Sequence, residues 1–322
     1  MSLQTSPSVA LSSAVASTSP TSTAVAATTR KKGFGIPFWV FVGWLGIVMI
    51  WAVFGKHLPF AHKSPDYITA AAINDGHWTK VFSTKHLLGT DQNGNDWLSA
   101  AVVGARNSMI IAFATVFLGF LLGGALGMIA GYRKGKVDTV LTFFTTTLLS
   151  IPPLLFIILL LTIFTAGGNG SGIAQGLQTS VWKLSLSLGI LSVPILFRVV
   201  RASTIQFANR EFVLAARSMG ASSTRILMRE ILPNVVKPMA AYGLVSAGSV
   251  MVIEGALSYL GIGVGEGWAW GKMIATGSGS TILQKGPNVA FVPIVILFLT
   301  VLSFNFIGDK LRERLEVKQG GI

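Results

Sequence analysis

The stretch SMIIAFATVFLGFLLGGALGMIAGY, residues 108–132, contains no charged side chain and few polar ones. Such a run is long enough to cross the hydrocarbon core of a bilayer, which takes about 20 apolar residues in an α-helix. Only helices and closed barrels satisfy the backbone in lipid, and an unbroken apolar run lacks the alternation of a barrel strand. This stretch therefore predicts a transmembrane helix.

Five more apolar runs of similar length accompany it along the chain. The six predicted spans are Ile36 to Phe54, Ser108 to Tyr132, Val137 to Thr165, Val181 to Val199, Val236 to Leu260 and Val289 to Ile307. Pro152 and Pro153 interrupt the third run and Pro194 interrupts the fourth, so kinks are expected there. The sequence thus predicts an all-α integral membrane protein with six transmembrane helices.

The composition indicates lipid as the main solvent. Of the 322 residues 51% are hydrophobic and 11% are charged, whereas a soluble domain carries about 25% charged residues. The absence of cysteine from the sequence excludes disulfides, thiolate chemistry and cysteine-ligated metal centres. The net charge of +13 does not indicate nucleic-acid binding, because the basic residues punctuate the apolar runs and do not line one surface.

The positions of Lys and Arg predict the orientation of the chain. Most of these 25 residues lie before the first span or after the second, fourth and sixth spans, which makes those segments cytoplasmic. Both termini are then predicted to lie on the cytoplasmic side of the membrane. Residues 1–35 are predicted to be a disordered cytoplasmic tail, 36–103 the first membrane helix with an outer segment, and 309–322 a cytoplasmic tail. Five tryptophans near the outer ends of the spans are interpreted as interfacial anchors: Trp78, Trp97, Trp182, Trp268 and Trp270.

Four glycines in the second span recur four residues apart: Gly119, Gly123, Gly127 and Gly131. This spacing places them on one face of the helix, where small residues let another helix approach closely. We favour plain helix packing as the role of this face. The alternative is a face that moves against a neighbour during transport.

The segment 209–234 is too polar to span the membrane. Asn209 is the expected N-cap of a short helix, Glu211 suits its first turn, and Gly220 is expected to end it in the left-handed conformation. Four residues are predicted to form one apolar face of this helix: Phe212, Ala215, Ala216 and Met219. Such a helix either lies on the membrane surface or inserts its apolar face into a groove on a cytosolic partner.

The sequence of this segment resembles a known motif. EFVLAARSMGAS at 211–222, followed by REILPN at 229–234, resembles the EAA loop of ABC importer permeases. That motif reads EAA, three residues, Gly, nine residues, Ile, any residue and Leu-Pro. Leu214 stands where the family has Glu, and Glu230 stands where it has Ile.

Other stretches narrow the resemblance to the C-type permease subunit of dipeptide, oligopeptide and nickel importers. They are HLLGTDQNGND at 86–96, GARNS at 104–108, EGALSYLG at 254–261, WGKM at 270–273 and NFIGD at 305–309. The matches extend from about residue 86 to residue 315. Their order and spacing along the chain support membership of this family.

The resemblance implies a type I ABC importer permease fold, with the permease domain at 104–308. It implies a location in the bacterial plasma (inner) membrane. The implied partners are a homologous permease subunit, two cytosolic ABC ATPases, an extracytoplasmic substrate-binding protein and the lipid membrane, with no nucleic acid. The expected cargo is a dipeptide or oligopeptide, with nickel and glutathione as alternatives. The expected ATPase-coupling residues are Glu211, Phe212, Ala215, Ala216, Arg217, Met219, Gly220, Ala221, Leu232 and Pro233.

The resemblance also implies that this chain is not an enzyme and binds no cofactor, while the partner subunits use ATP and magnesium. In agreement, the phosphate-binding pattern G-x-x-x-x-G-K-[S/T] does not occur in the sequence. No metal site is predicted either. All four histidines lie in the first outer segment, at spacings that match no standard site: His57, His62, His77 and His86.

An ion-coupled secondary transporter is the main rival class. Such carriers place carboxylates or histidines inside the membrane, and the predicted spans hold few of either. Glu254 and Tyr259 are candidates for the substrate path or an outer gate, although a structural hydrogen bond is the favoured alternative for Glu254. An intramembrane hydrolase would need a histidine or an aspartate pair inside a span, and the predicted spans contain neither.

Overall fold

The computed structural model describes residues 34–58, 86–91, 94–166 and 179–319. The prediction of a disordered N-terminal tail falls almost wholly outside these residues, as does the middle of the outer segment with Trp78, His62 and His77. The helices of the described residues belong to one compact unit, Ile36–Ile322.

The described residues form helices joined by short turns. We number them α1 (Ile36–Phe54), α2 (Trp97–Arg133), α3 (Gly135–Leu149), α4 (Pro153–Ala166), α5 (Val181–Ala208), α6 (Glu211–Ser218), α7 (Ser223–Tyr259), α8 (Trp270–Gly277), α9 (Ser280–Lys285) and α10 (Asn288–Gln319). Two of the long helices contain a π-helical segment, Phe120–Gly124 in α2 and Ile226–Ile231 in α7. A short 3₁₀ turn, Gly55–His57, follows α1.

Five helices of the described residues are long and apolar enough to cross a membrane: α1, α2, α5, α7 and α10. The predicted third span is a bent pair, because α3 and α4 meet at 94°. The break falls at the predicted prolines: Pro153 begins α4, and the amide of Ser150 closes the last turn of α3 on the carbonyl of Thr147 at 3.1 Å. The all-α membrane fold is therefore confirmed, with a sixth span if the bent pair crosses the bilayer as a unit.

The helices extend beyond the apolar windows that predicted them. α2 begins at Trp97 and not at Ser108, because the side chain of Asp96 accepts a hydrogen bond from the amide of Ser99 at 2.9 Å and so caps an earlier start. α5 continues to Ala208 and runs unbroken through Pro194. Hydropathy marks the part of a helix that suits lipid, whereas capping and backbone hydrogen bonds decide where the helix ends.

Two tryptophans interpreted as interfacial anchors belong to the protein core. Trp97 and Trp270 are fully buried. The indole of Trp97 donates to the carbonyl of Val289 at 2.9 Å, and that of Trp270 donates to the carbonyl of Ala101 at 2.9 Å. The anchor interpretation is wrong for this pair, since each indole N–H finds its partner inside the chain. Trp182 is 67% exposed, as an anchor would be.

The glycine face of α2 lies against α5 of the same chain. A Cβ built on Gly127 would come within 2.7 Å of the carbonyl oxygen of Phe197, and one on Gly131 within 2.8 Å of the carbonyl oxygen of Arg201. Gly119 and Gly123 are in similarly close contact with α5. The two helices therefore approach at backbone distance along this seam, which no larger side chain would allow.

Candidate functional site

The helix α6 forms an elbow between the membrane helices α5 and α7. Its N-cap is Arg210, which has an extended backbone and makes no side-chain capping bond. The prediction of Asn209 as the N-cap is wrong, because Asn209 is the C-cap of α5 and its side chain accepts a hydrogen bond from Lys134 Nζ at 3.2 Å. Glu211 lies in the first turn of α6, as predicted.

The end of α6 is confirmed at Gly220. This residue has a φ of +78°, in the left-handed region that glycine adopts without a steric penalty. The amide of Ala221 reaches back to the carbonyl of Ala216 at 3.1 Å, and the amide of Gly220 reaches the carbonyl of Arg217 at 3.0 Å. These two bonds form a Schellman motif, which reverses the chain direction within one turn.

The apolar residues of α6 point in two directions. Val213 and Ala216 are buried in a small core with Ile226 and Ile231, whereas other apolar side chains of the elbow are exposed: Phe212 at 38%, Leu214 at 53% and Met219 at 81%. The prediction of one common face for Phe212, Ala215, Ala216 and Met219 is therefore wrong in one member. Ala216 faces the chain's own core, because it lies three residues after Val213 on the same side of the helix and that side packs against Ile226 and Ile231.

The elbow contacts the end of α2 through Arg217 and Tyr132. Arg217 lies over the ring of Tyr132, 5.9 Å from its centroid, and its guanidinium donates to the Tyr132 hydroxyl at 3.5 Å. Ser222 caps the start of α7 by accepting a hydrogen bond from the amide of Arg225 at 3.4 Å. These contacts hold α6 in one orientation relative to the membrane helices.

The second half of the motif lies at the start of the long part of α7. Leu232 is half-buried and Pro233 is exposed, directly after the π-helical segment. The carbonyl of Glu230 accepts a hydrogen bond from the side chain of Asn234 at 2.7 Å. Glu230, which departs from the family motif, is thus held by its backbone.

An ion pair joins α3 to α5. The guanidinium of Arg201 forks onto the carboxylate of Asp138, with Nη2 donating to Oδ2 at 2.6 Å and Nε donating to Oδ1. Both side chains are largely shielded from solvent. The sequence analysis did not predict this pair. Asp138 could have indicated it, because a lone aspartate at the start of an apolar run needs a cationic partner.

Glu254 and Tyr259 do not come together. Glu254 is buried, and its carboxylate accepts a hydrogen bond from Ser258 Oγ at 2.9 Å. The same carboxylate packs against Gly271 of α8. A Cβ built on this glycine would lie 2.7 and 2.8 Å from the two carboxylate oxygens of Glu254. Tyr259 is 65% exposed at the end of α7. The two residues therefore cannot line one surface in this conformation.

Within the described ranges, no three His, Asp or Glu side chains are grouped so that they could hold a metal ion. His86 lies beside Asp96, with Nδ1 and Oδ2 2.7 Å apart. This contact ties the outer segment to the cap of α2.

Comparison with known proteins identifies the family of the chain. The family described as "Binding-protein-dependent transport system inner membrane component" matches residues 123–317. The chain is 31% identical over 263 residues to the oligopeptide transport system permease protein OppC of Haemophilus influenzae, covering 81% of this chain and 77% of that protein. It is 31% identical to the dipeptide permease DppC of Alkalihalophilus pseudofirmus, covering 73% of each chain.

The glutathione permease GsiD of Pectobacterium atrosepticum is 30% identical, covering 87% of this chain and 86% of that protein. Among solved structures, an inward-facing MetNI methionine ABC transporter superposes with a TM-score of 0.56 and 17% identity, over 68% of this chain and 97% of that chain. The protein is thus a member of the binding-protein-dependent transport system inner membrane component family, the multi-pass permease subunits of ATP-driven ABC importers.

Proposed function

We propose that this chain forms half of a membrane pore that moves dipeptides or oligopeptides into the cytoplasm. The proposal rests on relatives whose names assign them to oligopeptides, dipeptides and glutathione. Glutathione is itself a small peptide, so a peptide backbone is the chemistry these cargoes share. Nickel, the other alternative, has no support among these three relatives.

The proposed assembly contains a homologous permease, two cytosolic ATPases and an extracytoplasmic binding protein. Both termini of the chain are cytoplasmic in it, in keeping with the Lys and Arg distribution. The ATPases use ATP and magnesium, and this chain hydrolyses nothing. The elbow α6 then faces the cytosol, where the ATPases are.

The observation that carries the coupling role is the exposed apolar flank of α6. Phe212 and Met219 are seven residues apart, so they lie on the same side of α6, and both are exposed although Val213 and Ala216 of this helix are buried in the chain's own core. Leu214 is exposed on another side of the helix. An apolar helix flank presented on a rigid elbow suits a groove on a partner protein. Its neighbours in the motif complete the proposed contact: Glu211, Ala215, Gly220, Ala221, Leu232 and Pro233.

Coupling through the elbow explains alternating access in energetic terms. A ligand shifts a conformational equilibrium only by its different affinity for the two states. ATP binding changes the shape of the ATPase pair, and a docked α6 passes that preference to α5 and α7, which flank it in the chain. The glycine seam then makes α2 and α5 move together.

The test is uptake of a radiolabelled dipeptide, an oligopeptide and glutathione by cells that carry or lack this chain. We expect uptake of at least one peptide, lost when the ATPase genes are deleted and kept when the proton gradient is collapsed while ATP is maintained. Uptake that survives ATPase deletion but requires the proton gradient would identify a secondary transporter and contradict the proposal.

A further inference from the structure

A cavity of about 730 Å³ opens between α5, α7 and α10, and its wall is cationic. The polar side chains on this wall are Arg198, Ser203, Gln206, Arg210, Tyr242 and Arg312. None of the residues that line it is acidic. We propose that this cavity binds a phosphate-bearing anion, and that the headgroup of an acidic phospholipid is its source.

Two arginines on the cavity wall, Arg198 and Arg210, carry charge that no carboxylate compensates among the described residues. Within the part of the chain that the structure describes, neither Arg198 nor Arg210 forms an ion pair, and Arg198 makes one long hydrogen bond to Thr146 Oγ1 at 3.4 Å. Arg201, one turn away on α5, points elsewhere and is neutralised by Asp138. The fold therefore pairs Arg201, which faces α3, and leaves Arg198 and Arg210 of the cavity wall without a carboxylate among the described residues.

The cavity wall presents several hydrogen-bond donors. The guanidinium of Arg312 lies over the ring of Tyr242, 5.1 Å from its centroid, so α10 and α7 contribute a positive group to the wall. Guanidinium groups present paired N–H donors that match phosphate oxygens. Ser203 and Gln206 add neutral donors between the arginines. An anion in the cavity would thus meet donors from three helices and the turn before α6.

The apolar part of the wall and the place of the cavity in the fold favour a lipid as the source of the anion. The wall also contains the apolar residues Val199 and Phe207, so it suits a headgroup with adjoining glycerol and acyl carbons. The cavity lies near the last turns of α5, where the apolar span gives way to polar residues. Basic pockets between membrane helices on the cytoplasmic side are places where acidic headgroups bind. The assignment to the inner leaflet rests on the proposed function.

The consequence is a ligand that bridges the elbow and the pore helices. Arg210 directly precedes α6, while Arg198 and Arg312 belong to α5 and α10. A phosphate held by all three would resist their separation. An acidic lipid would therefore stabilise the arrangement of the elbow seen here.

The experiment uses the full chain purified in detergent. The midpoint of thermal unfolding is measured with added phosphatidylglycerol, with phosphatidylcholine and with inorganic phosphate. The cavity variant is Arg198→Gln with Arg210→Gln. The matched control is Arg133→Gln with Lys136→Gln, which removes two charges from positions outside the cavity.

We expect phosphatidylglycerol to raise the midpoint of the wild type and the control, and the cavity variant to need about tenfold more lipid for the same rise. If inorganic phosphate raises the midpoint and phosphatidylglycerol does not, the cavity binds an anion but its ligand is free phosphate, which contradicts the lipid assignment. An equal response of the cavity variant to phosphatidylglycerol would overturn the proposal.

A second variant guards against misfolding of the first. Ser203→Asp places a carboxylate among the cavity arginines without removing them, and it should weaken the response to phosphatidylglycerol while the unliganded midpoint stays close to that of the wild type. An unchanged lipid response would count against the site. In detergent, added lipid has access to both ends of the membrane helices. The lipid response therefore does not depend on the proposed orientation, and a failure of the proposed function would leave it unchanged.

Discussion

Gly127 of α2 lies so close to Phe197 of α5 that a Cβ on the glycine would come within 2.7 Å of the phenylalanine carbonyl oxygen. That carbonyl belongs to a helix backbone and cannot move aside alone. The glycine is therefore required by the approach of the two helices. Its backbone conformation is that of an ordinary helix.

We expect Gly127→Ala to lower the free energy of unfolding by about 1–3 kcal/mol, the usual cost of overpacking a tight contact. The matched control is Gly46→Ala on α1, where an added Cβ meets nothing within 4 Å. Alanine is the better helix former by about 1 kcal/mol, so the control should be neutral or stabilising. Thermal unfolding in detergent measures both. Equal midpoints for the two variants would mean that the two helices pack less tightly at this seam.

The ion pair between Asp138 and Arg201 should contribute to stability, since each charge is largely shielded and satisfied by the other. We expect Asp138→Asn to cost about 1–3 kcal/mol, less than for a fully buried pair because Arg201 remains partly exposed. The exposed pair Lys310–Glu313 is the control, and Lys310→Gln should change stability by less than about 0.5 kcal/mol. A similar small effect for both variants, measured by thermal unfolding, would show that the α3–α5 pair is not a stabilising contact.

Gly220 offers a way to separate coupling from folding. We expect Gly220→Asp to leave the chain in the membrane and to abolish uptake, because it strains the left-handed turn and puts a carboxylate beside the proposed docking flank. The control is Gly135→Asp, since Gly135 also has a positive φ and an added Cβ meets nothing within 4 Å at either position. Membrane content by immunoblot and peptide uptake are both measured. Normal uptake by a correctly inserted Gly220→Asp protein would remove α6 from the coupling role.

Local sequence properties predicted the spans and the break between α3 and α4. Lipid selects apolar runs of sufficient length, and the adjacent Pro152 and Pro153 remove two backbone N–H donors from the third run, so both features can be read without knowledge of the fold. A single proline is not sufficient, because α5 runs through Pro194. Gly220 is similar, because a glycine after an amphipathic run is the usual end of a helix. These features depend on residues that are close together in the sequence.

Features that depend on distant residues could not be predicted in this way. Trp270 is of the residue type that anchors helices at the membrane interface, but its indole donates a hydrogen bond to the carbonyl of Ala101, which is distant in the sequence. Ala216 fits an outward apolar stripe by spacing alone, and only the position of Ile226 and Ile231 shows that it faces inward. The pairing of Arg201 with Asp138 likewise requires the packing of α3 on α5.

The proposed docking of α6 on a cytosolic ATPase places Met219 in the contact, so a cross-link from this residue tests the docking most directly. The chain has no cysteine, so Met219→Cys is a unique attachment point for a photoreactive maleimide, at a residue that is 81% exposed. Trp182→Cys, at a residue 67% exposed on the proposed outer side, is the matched control. Irradiation of the purified assembly should join the first variant to an ATPase subunit and the second to none. Adducts of Met219→Cys with lipid or the binding protein, and none with an ATPase, would contradict the docking of α6 on that subunit.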